Sequence, residues 1–251
     1  MFGVYFGNYL LKKELISQSK LDETASQPYT DFVRSFADTK GINIEDVEKL
    51  ILDYQSEMDL SDEVLAAIKS DDINRVIEAM AFHGDDDDGM YNSFIKSLLR
   101  SIYLYVKSEK LMIKPVRILK KYTFENLAYL EIEAPLGLSV ALAGDGNNLL
   151  AIANAFLDFG FTEMNEESFD AVCEFLNSIC GMYVSDLSNE TGIEADLTVP
   201  QYYIAQTLKV KPRYFMNQTM RSIGSIYLVP LLIDGKKIDL LVTEYTVNEF
   251  I

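Results

Sequence analysis

The chain has 251 residues, 49% of them hydrophobic and 24% charged, a balance that excludes general disorder. Its 22 Lys+Arg against 39 Asp+Glu leave a net charge of −17, which a bare phosphate backbone would repel, so nucleic acid is not an expected partner. One histidine, His83, and two cysteines argue against His-dependent nucleophilic chemistry, a His-rich metal site and a disulfide scaffold.

Residues 1–91 hold 20 acidic and 8 basic residues, and residues 92–251 hold 19 and 14. Between them His83-Gly84-Asp85-Asp86-Asp87-Asp88-Gly89 reads as a solvated break, because adjacent aspartates repel and glycine weakens helix. The expected organisation is a helical domain over 1–84, an acidic linker at 85–90 and a second domain over 91–251. No run of about 18 apolar residues occurs, so no membrane span is expected. The N-terminal apolar stretch precedes Lys12 and Lys13, the reverse of a secretory leader, which gives a cytoplasmic expectation.

In chain order, Phe6 to Ile16 suggests a first helix and Ser17 to Leu21 a second. Phe32, Val33 and Phe36 mark a third. Asn43, Ser61 and Asp71-Asp72 open three more, each placing a short side chain that can accept from an unpaired helical N–H. The glycine and leucine spacing of Phe6–Ile16 weakly resembles the small helical module ahead of some secretion ATPases, and helix packing is the preferred reading of it. Asn92 to Lys107 is amphipathic through Phe94, Ile95, Leu98, Leu99, Ile102, Leu104 and Tyr105. Tyr129–Ala134 and Leu138–Ala143 read as strands. Asn147 and Asn148 are read as caps of a short helix through Leu157, and Glu166 to Ser188 as a long helix. Ile193–Val199 alternates like a strand ending at Pro200. Ile226–Ile233, Asp234-Gly235 and Ile238–Thr246 read as a hairpin. Strands of this kind with long helices between them predict an α+β domain, its sheet mainly antiparallel, preceded by a small all-α domain.

The long helix is the informative element. At 3.6 residues per turn, Phe169, Val172, Cys173, Leu176, Ile179, Cys180, Tyr183 and Leu187 share a core face. The opposite side carries Asp170, Glu174, Asn177, Ser178, Gly181 and Ser185, with no lysine or arginine between Glu166 and Asn189. Glu174 and Asn177 are three apart and are therefore surface neighbours. Taken alone, an acid and an amide on a solvated helix are ordinary. Cys173 and Cys180 lie roughly 10 Å apart along the axis, too far for a disulfide.

Asp170, three residues, Glu174, two residues, Asn177, then 22 residues and Pro200 resembles the motif of the chemotaxis phosphatases CheC, CheX and FliY. Asn177-Ser178-Ile179-Cys180-Gly181 is similar to the run that follows in many members. A single copy of the motif makes the second domain CheX-like. The resemblance implies a phosphatase that removes the aspartyl phosphate of a CheY-like response regulator. It makes Glu174 and Asn177 the catalytic pair, Asp170, Ser178 and Gly181 partner-binding residues, and Pro200 a structural motif position. It implies no cofactor of the chain's own, since Mg²⁺ belongs to the partner's acidic pocket. A docking module without catalysis is the alternative. A purely structural homodimer is a third reading, since the family pairs through strands and the hairpin at 226–246 offers edges that could serve. The chain departs from the family in lacking a glycine over Gln201–Ala205 and in placing Met182 after Gly181.

Two further features are weighed. Gly144-Asp145-Gly146-Asn147 lacks a phosphate-loop lysine and is expected to be a plain turn. Lys107, Lys110, Lys114, Arg117, Lys120 and Lys121 form a basic cluster suited equally to a helix end and an edge strand or to an acidic partner.

Overall fold

Short polar side chains set the helix starts in the first part of the chain, as the computed structural model of the protein shows. It describes residues 2–81, 89–106, 111–119, 122–133, 135–204 and 226–244. His83, the aspartates 85–88, Lys107, Lys110, Lys120, Lys121, Ala134, Ala205 and the hairpin end at 245–246 lie outside the described residues.

Six helices come first: α1 (Phe2–Lys12), α2 (Gln18–Thr24), α3 (Tyr29–Lys40), α4 (Ile44–Glu57), α5 (Asp62–Lys69) and α6 (Ile73–Met80). Ser17, Asn43 and Ser61 accept from the backbone N–H of Lys20, Asp46 and Val64, which satisfies one open donor at each start. Phe2, Phe6, Tyr9, Phe32 and Tyr54 meet as a cluster of rings at edge and tilted angles. The glycines of α1 have a packing reason. A Cβ at Gly3 would lie 2.6 Å from the Thr24 carbonyl oxygen, and one at Gly7 would lie 2.5 Å from Leu21 Cδ1. The backbone of α2 therefore sits directly against α1.

Asp71 ties two helix starts together. It adopts a left-handed conformation at φ 55°, and its carboxylate accepts from the N–H of Phe2 at 2.7 Å and of Tyr29 at 2.9 Å. Burial alone would raise this carboxyl, but those donated hydrogen bonds hold it below the usual carboxylate range. A depressed pKa contributes stability that is complete above the unfolded value, near about 3.9, and is lost as pH falls through the folded one. Asn also tolerates the left-handed region, so Asp71→Asn removes the charge with little backbone strain. Asp71→Asn is expected to lower stability at pH 7 by about 1.5 kcal/mol. The gap between variant and wild type should close below about pH 4, as measured by urea unfolding at a series of pH values. A gap that is constant with pH would contradict this account.

The second part holds α7 (Gly89–Val106), β1 (Met112–Ile113), β2 (Arg117–Leu119), β3 (Asn126–Ile132), β4 (Leu138–Gly144), α8 (Leu150–Leu157), α9 (Glu166–Thr191), β5 (Gln201–Ile204), β6 (Ile226–Ile233) and β7 (Lys236–Glu244). By compactness the chain divides into Met1–Met80 with Glu109–Met112, and Ala81–Ser108 with Ile113–Ile251. The described strands form one sheet in the order β1-β6-β7-β4-β3-β5, with β2 also pairing β6, and the paired strands β2–β6, β6–β7, β7–β4, β4–β3 and β3–β5 are antiparallel. The helix α9 lies along β3 and β5, and α7 and α8 pack on α9. The fold is α+β, a mainly antiparallel sheet carrying long helices, with a small all-helical part ahead of it. Asp234 and Gly235 both take positive φ, 49° and 74°, the requirement of a two-residue hairpin turn that follows the twist of its strands.

Four elements differ from the sequence reading. Leu104 is 60% exposed, away from the buried side of α7 that holds Phe94, Ile95, Leu98, Leu99 and Ile102. The start of α8 falls at Leu149, with no side-chain cap, because residues 147–149 are still in the turn that leaves β4. The strand read at Ile193–Val199 is a single bridge, Leu197 to Ile132, and the strand proper follows Pro200. The hairpin has no free edge among the described residues, since β6 is flanked by β2 and β7 by β4. A dimer through it would have to displace a paired strand.

Candidate functional site

The long helix begins at a reciprocal cap. Asn165 Oδ1 accepts from Ser168 N at 3.0 Å, and Ser168 Oγ accepts from Asn165 N at 2.8 Å. Glu166 and Glu167 occupy the first turn, where the helix dipole favours negative charge. Gly192, at φ 73°, closes the other end.

Burial along α9 is wider than one apolar stripe. Phe169, Val172, Cys173, Leu176, Ile179, Cys180 and Tyr183 are buried, and so are Ala171 and Phe175. Phe175 meets the rings of Phe156 and Tyr105, while Tyr183 meets Phe94 at 4.4 Å. With the sheet on one flank and α7 and α8 on the other, a narrow open strip is left. Asp170 and Glu174 are exposed on it, and Asn177, Ser178 and Gly181 are partly exposed. Neither the Glu174 carboxylate nor the Asn177 carboxamide has an internal hydrogen bond or ion pair among the described residues. Their donors and acceptors are available to an incoming surface.

Both thiols are silent. Burial first, and the nearby Asp170 carboxylate second, push the Cys173 thiol up to about 11, and burial raises Cys180 as well. Neither forms a disulfide. Among the described residues, a Cβ at Gly181 would meet only Leu197 Cδ1 at 3.9 Å, an ordinary contact. The chain itself does not require glycine there. Gly181→Ala is therefore expected to raise stability, by up to about 1 kcal/mol, in thermal unfolding. A loss of stability would show a clash that the geometry does not contain.

Pro200 has a clear backbone role. Gln201 pairs with Tyr129, whereas Leu197 pairs with Ile132, and Thr198 N donates to the Glu131 oxygen. Two residues, Val199 and Pro200, thus oppose the single residue Leu130, which is a β-bulge. A proline is accepted at a bulge because no ladder N–H is needed there. The Thr198 hydroxyl takes the Glu131 N–H at 2.9 Å in place of a backbone partner. Tyr202, past the bulge, stacks on Phe169 at 4.7 Å. Burial, then the carboxylates of Glu166 and Asp170, raise its hydroxyl.

The structure brings Asp170, Glu174, Asn177, Ser178 and Gly181 onto one strip, with Pro200 immediately before the edge strand β5 beside the same helix. Sequence reading missed Tyr202 and the bulge at Val199. The proline was the available signal, since proline in a strand pattern marks an edge or a bulge. The turn at Gly144–Asn147 is no phosphate cradle. Gly146 N–H is taken by the Glu125 carboxylate, and Asn126 Nδ2 donates to the Gly146 oxygen. Among the described residues no cluster of three or more His, Cys, Asp or Glu is placed to hold a metal ion. No described helix is long and apolar enough to cross a membrane.

The class defined here is an α+β domain, an antiparallel sheet backed by helices, with an acid and an amide on the open strip of one of them. Residues 127–220 match the family model of the chemotaxis phosphatase CheX. The second part of the chain is thus CheX-like, and the helical part precedes it. Similar solved structures include the CheX–CheY–BeF3–Mg²⁺ complex from Borrelia burgdorferi, with 16% identity over 62% of this chain and 97% of that one and a TM-score of 0.48. A CheC-like protein from Shewanella sp. PV-4 gives 20% identity, 62% and 97% coverage and 0.48. The chemotaxis protein CheX from Vibrio vulnificus gives 22%, 61%, 96% and 0.46. No curated protein matches the sequence.

Proposed function

We propose that the second domain dephosphorylates the aspartyl phosphate of a CheY-like response regulator, with Glu174 and Asn177 as its working residues. The observation that carries this is the pairing of an exposed Glu174 with Asn177 three residues on, both without internal partners among the described residues. The family match over 127–220 supports the choice of reaction.

Phosphoryl transfer to water needs placement and charge stabilisation more than covalent help from a protein. The Asn177 carboxamide both donates and accepts, so it can hold a water in line with the phosphorus without repelling the phosphoryl oxygens. A carboxylate at that position would repel them. Glu174 pairs with a lysine of the receiver and fixes the pose, and Asp170, Ser178 and Gly181 border the contact. Mg²⁺ is supplied by the receiver's own acidic pocket. The reaction takes place in the cytoplasm, where such regulators work.

The test is the decay of phosphate on a receiver labelled with acetyl phosphate, with and without this protein. Faster decay supports the phosphatase. Binding to the activated receiver with unchanged decay would leave the docking module.

A further inference from the structure

We infer that Val199 is an apolar anchor for the docked receiver, set beside the acid and amide by the bulge at Pro200. This assignment rests on the proposed phosphatase reading.

Val199 is 81% exposed, more than any other large hydrophobic side chain among the described residues. A one-residue excess in the edge strand puts it there. Val199 and Pro200 share the place opposite Leu130, and a bulge of this kind re-aims side chains out of the regular pleat. Its height along α9 is fixed by the contacts on either side of it. Tyr202 stacks on Phe169, and Leu197 lies against Gly181. Residues 198–201 therefore pass level with the turn that carries Glu174 and Asn177.

The surroundings specify the occupant. Residues 122–208 contain no lysine or arginine, while Asp170 and Glu174 are exposed on α9 and Glu194 and Asp196 on the segment that leads into the bulge. An exposed apolar side chain among exposed carboxylates, with no nearby cation in the sequence, suits a partner with an apolar spot next to a cation. An exposed apolar group of this kind yields its binding energy when a partner takes it out of water. A receiver domain that brings a lysine to Glu174 would cover Val199 in the same approach.

The experiment titrates the full chain with a CheY-like receiver of the same genome, activated with beryllofluoride and Mg²⁺, and separately times phosphate loss at saturating protein. Val199→Ala is expected to weaken binding about tenfold, and Val199→Asp more. Unfolding temperature and the rate at saturation should stay at wild-type values, because Val199 supports neither the core nor the reacting atoms. If wild type binds and accelerates phosphate loss while both variants bind equally well, the anchor assignment is wrong and the phosphatase stands. If wild type neither binds nor accelerates, the phosphatase reading falls and this assignment with it.

Discussion

Asn177→Ala is expected to slow phosphate loss from an activated receiver by about 100-fold, the scale set by losing the placement of one reacting group. Docking should survive. Asn177 is only partly exposed and carries no internal hydrogen bond among the described residues, so its removal leaves no buried orphan and no lost cap there. Glu174, one turn away on the same strip, should still hold the partner's cation on the proposed reading. The signature is thus a fall in rate at saturating protein with near-constant affinity for the beryllofluoride-activated receiver. A variant with unchanged rate would move the chemistry away from this amide.

Phe169→Ala is expected to cost about 3–5 kcal/mol, the range for emptying a buried aromatic site. Phe169 is fully buried on the first turns of α9, and its ring stacks on Tyr202 of β5. The loss therefore loosens the contact that sets the edge strand against α9. Urea unfolding followed by circular dichroism measures the cost. Phe169→Leu refills most of the volume and should recover more than half of it. A loss below about 1 kcal/mol would mean that the site collapses freely around the missing ring.

Much of this architecture is written locally in the sequence. Ser17, Asn43 and Ser61 name their helix starts because a cap needs only a side chain and the N–H three residues on. Asp234-Gly235 names the hairpin because its turn demands positive φ at both positions. Asp170, Glu174 and Asn177 share an open strip because their spacing follows the helical repeat. What the sequence hides is non-local. Ala171 and Phe175 do not fall on the single expected core face yet are buried, Phe175 against Tyr105 of α7 and Phe156 of α8. The bulge at Val199 is a mismatch of register between β3 and the edge strand, which no periodicity within either segment displays. Leu104 sits in an apolar pattern yet faces water, since the pattern does not say how wide the covering surface is. The hairpin's edges read as free because strand order is settled by pairing partners far away in sequence.

Access to position 177 tests the central claim most directly. Cys173 and Cys180 are buried with raised thiols, so they form a quiet background for alkylation. In an Asn177→Cys variant, the introduced thiol should react with a small maleimide in the free protein far faster than the native pair. Adding the beryllofluoride-activated receiver should protect it, and the inactive receiver should protect it less. A thiol at 177 that reacts as slowly as Cys180, or one whose reaction the activated receiver leaves unchanged, would contradict the claim that this side chain is what the partner meets.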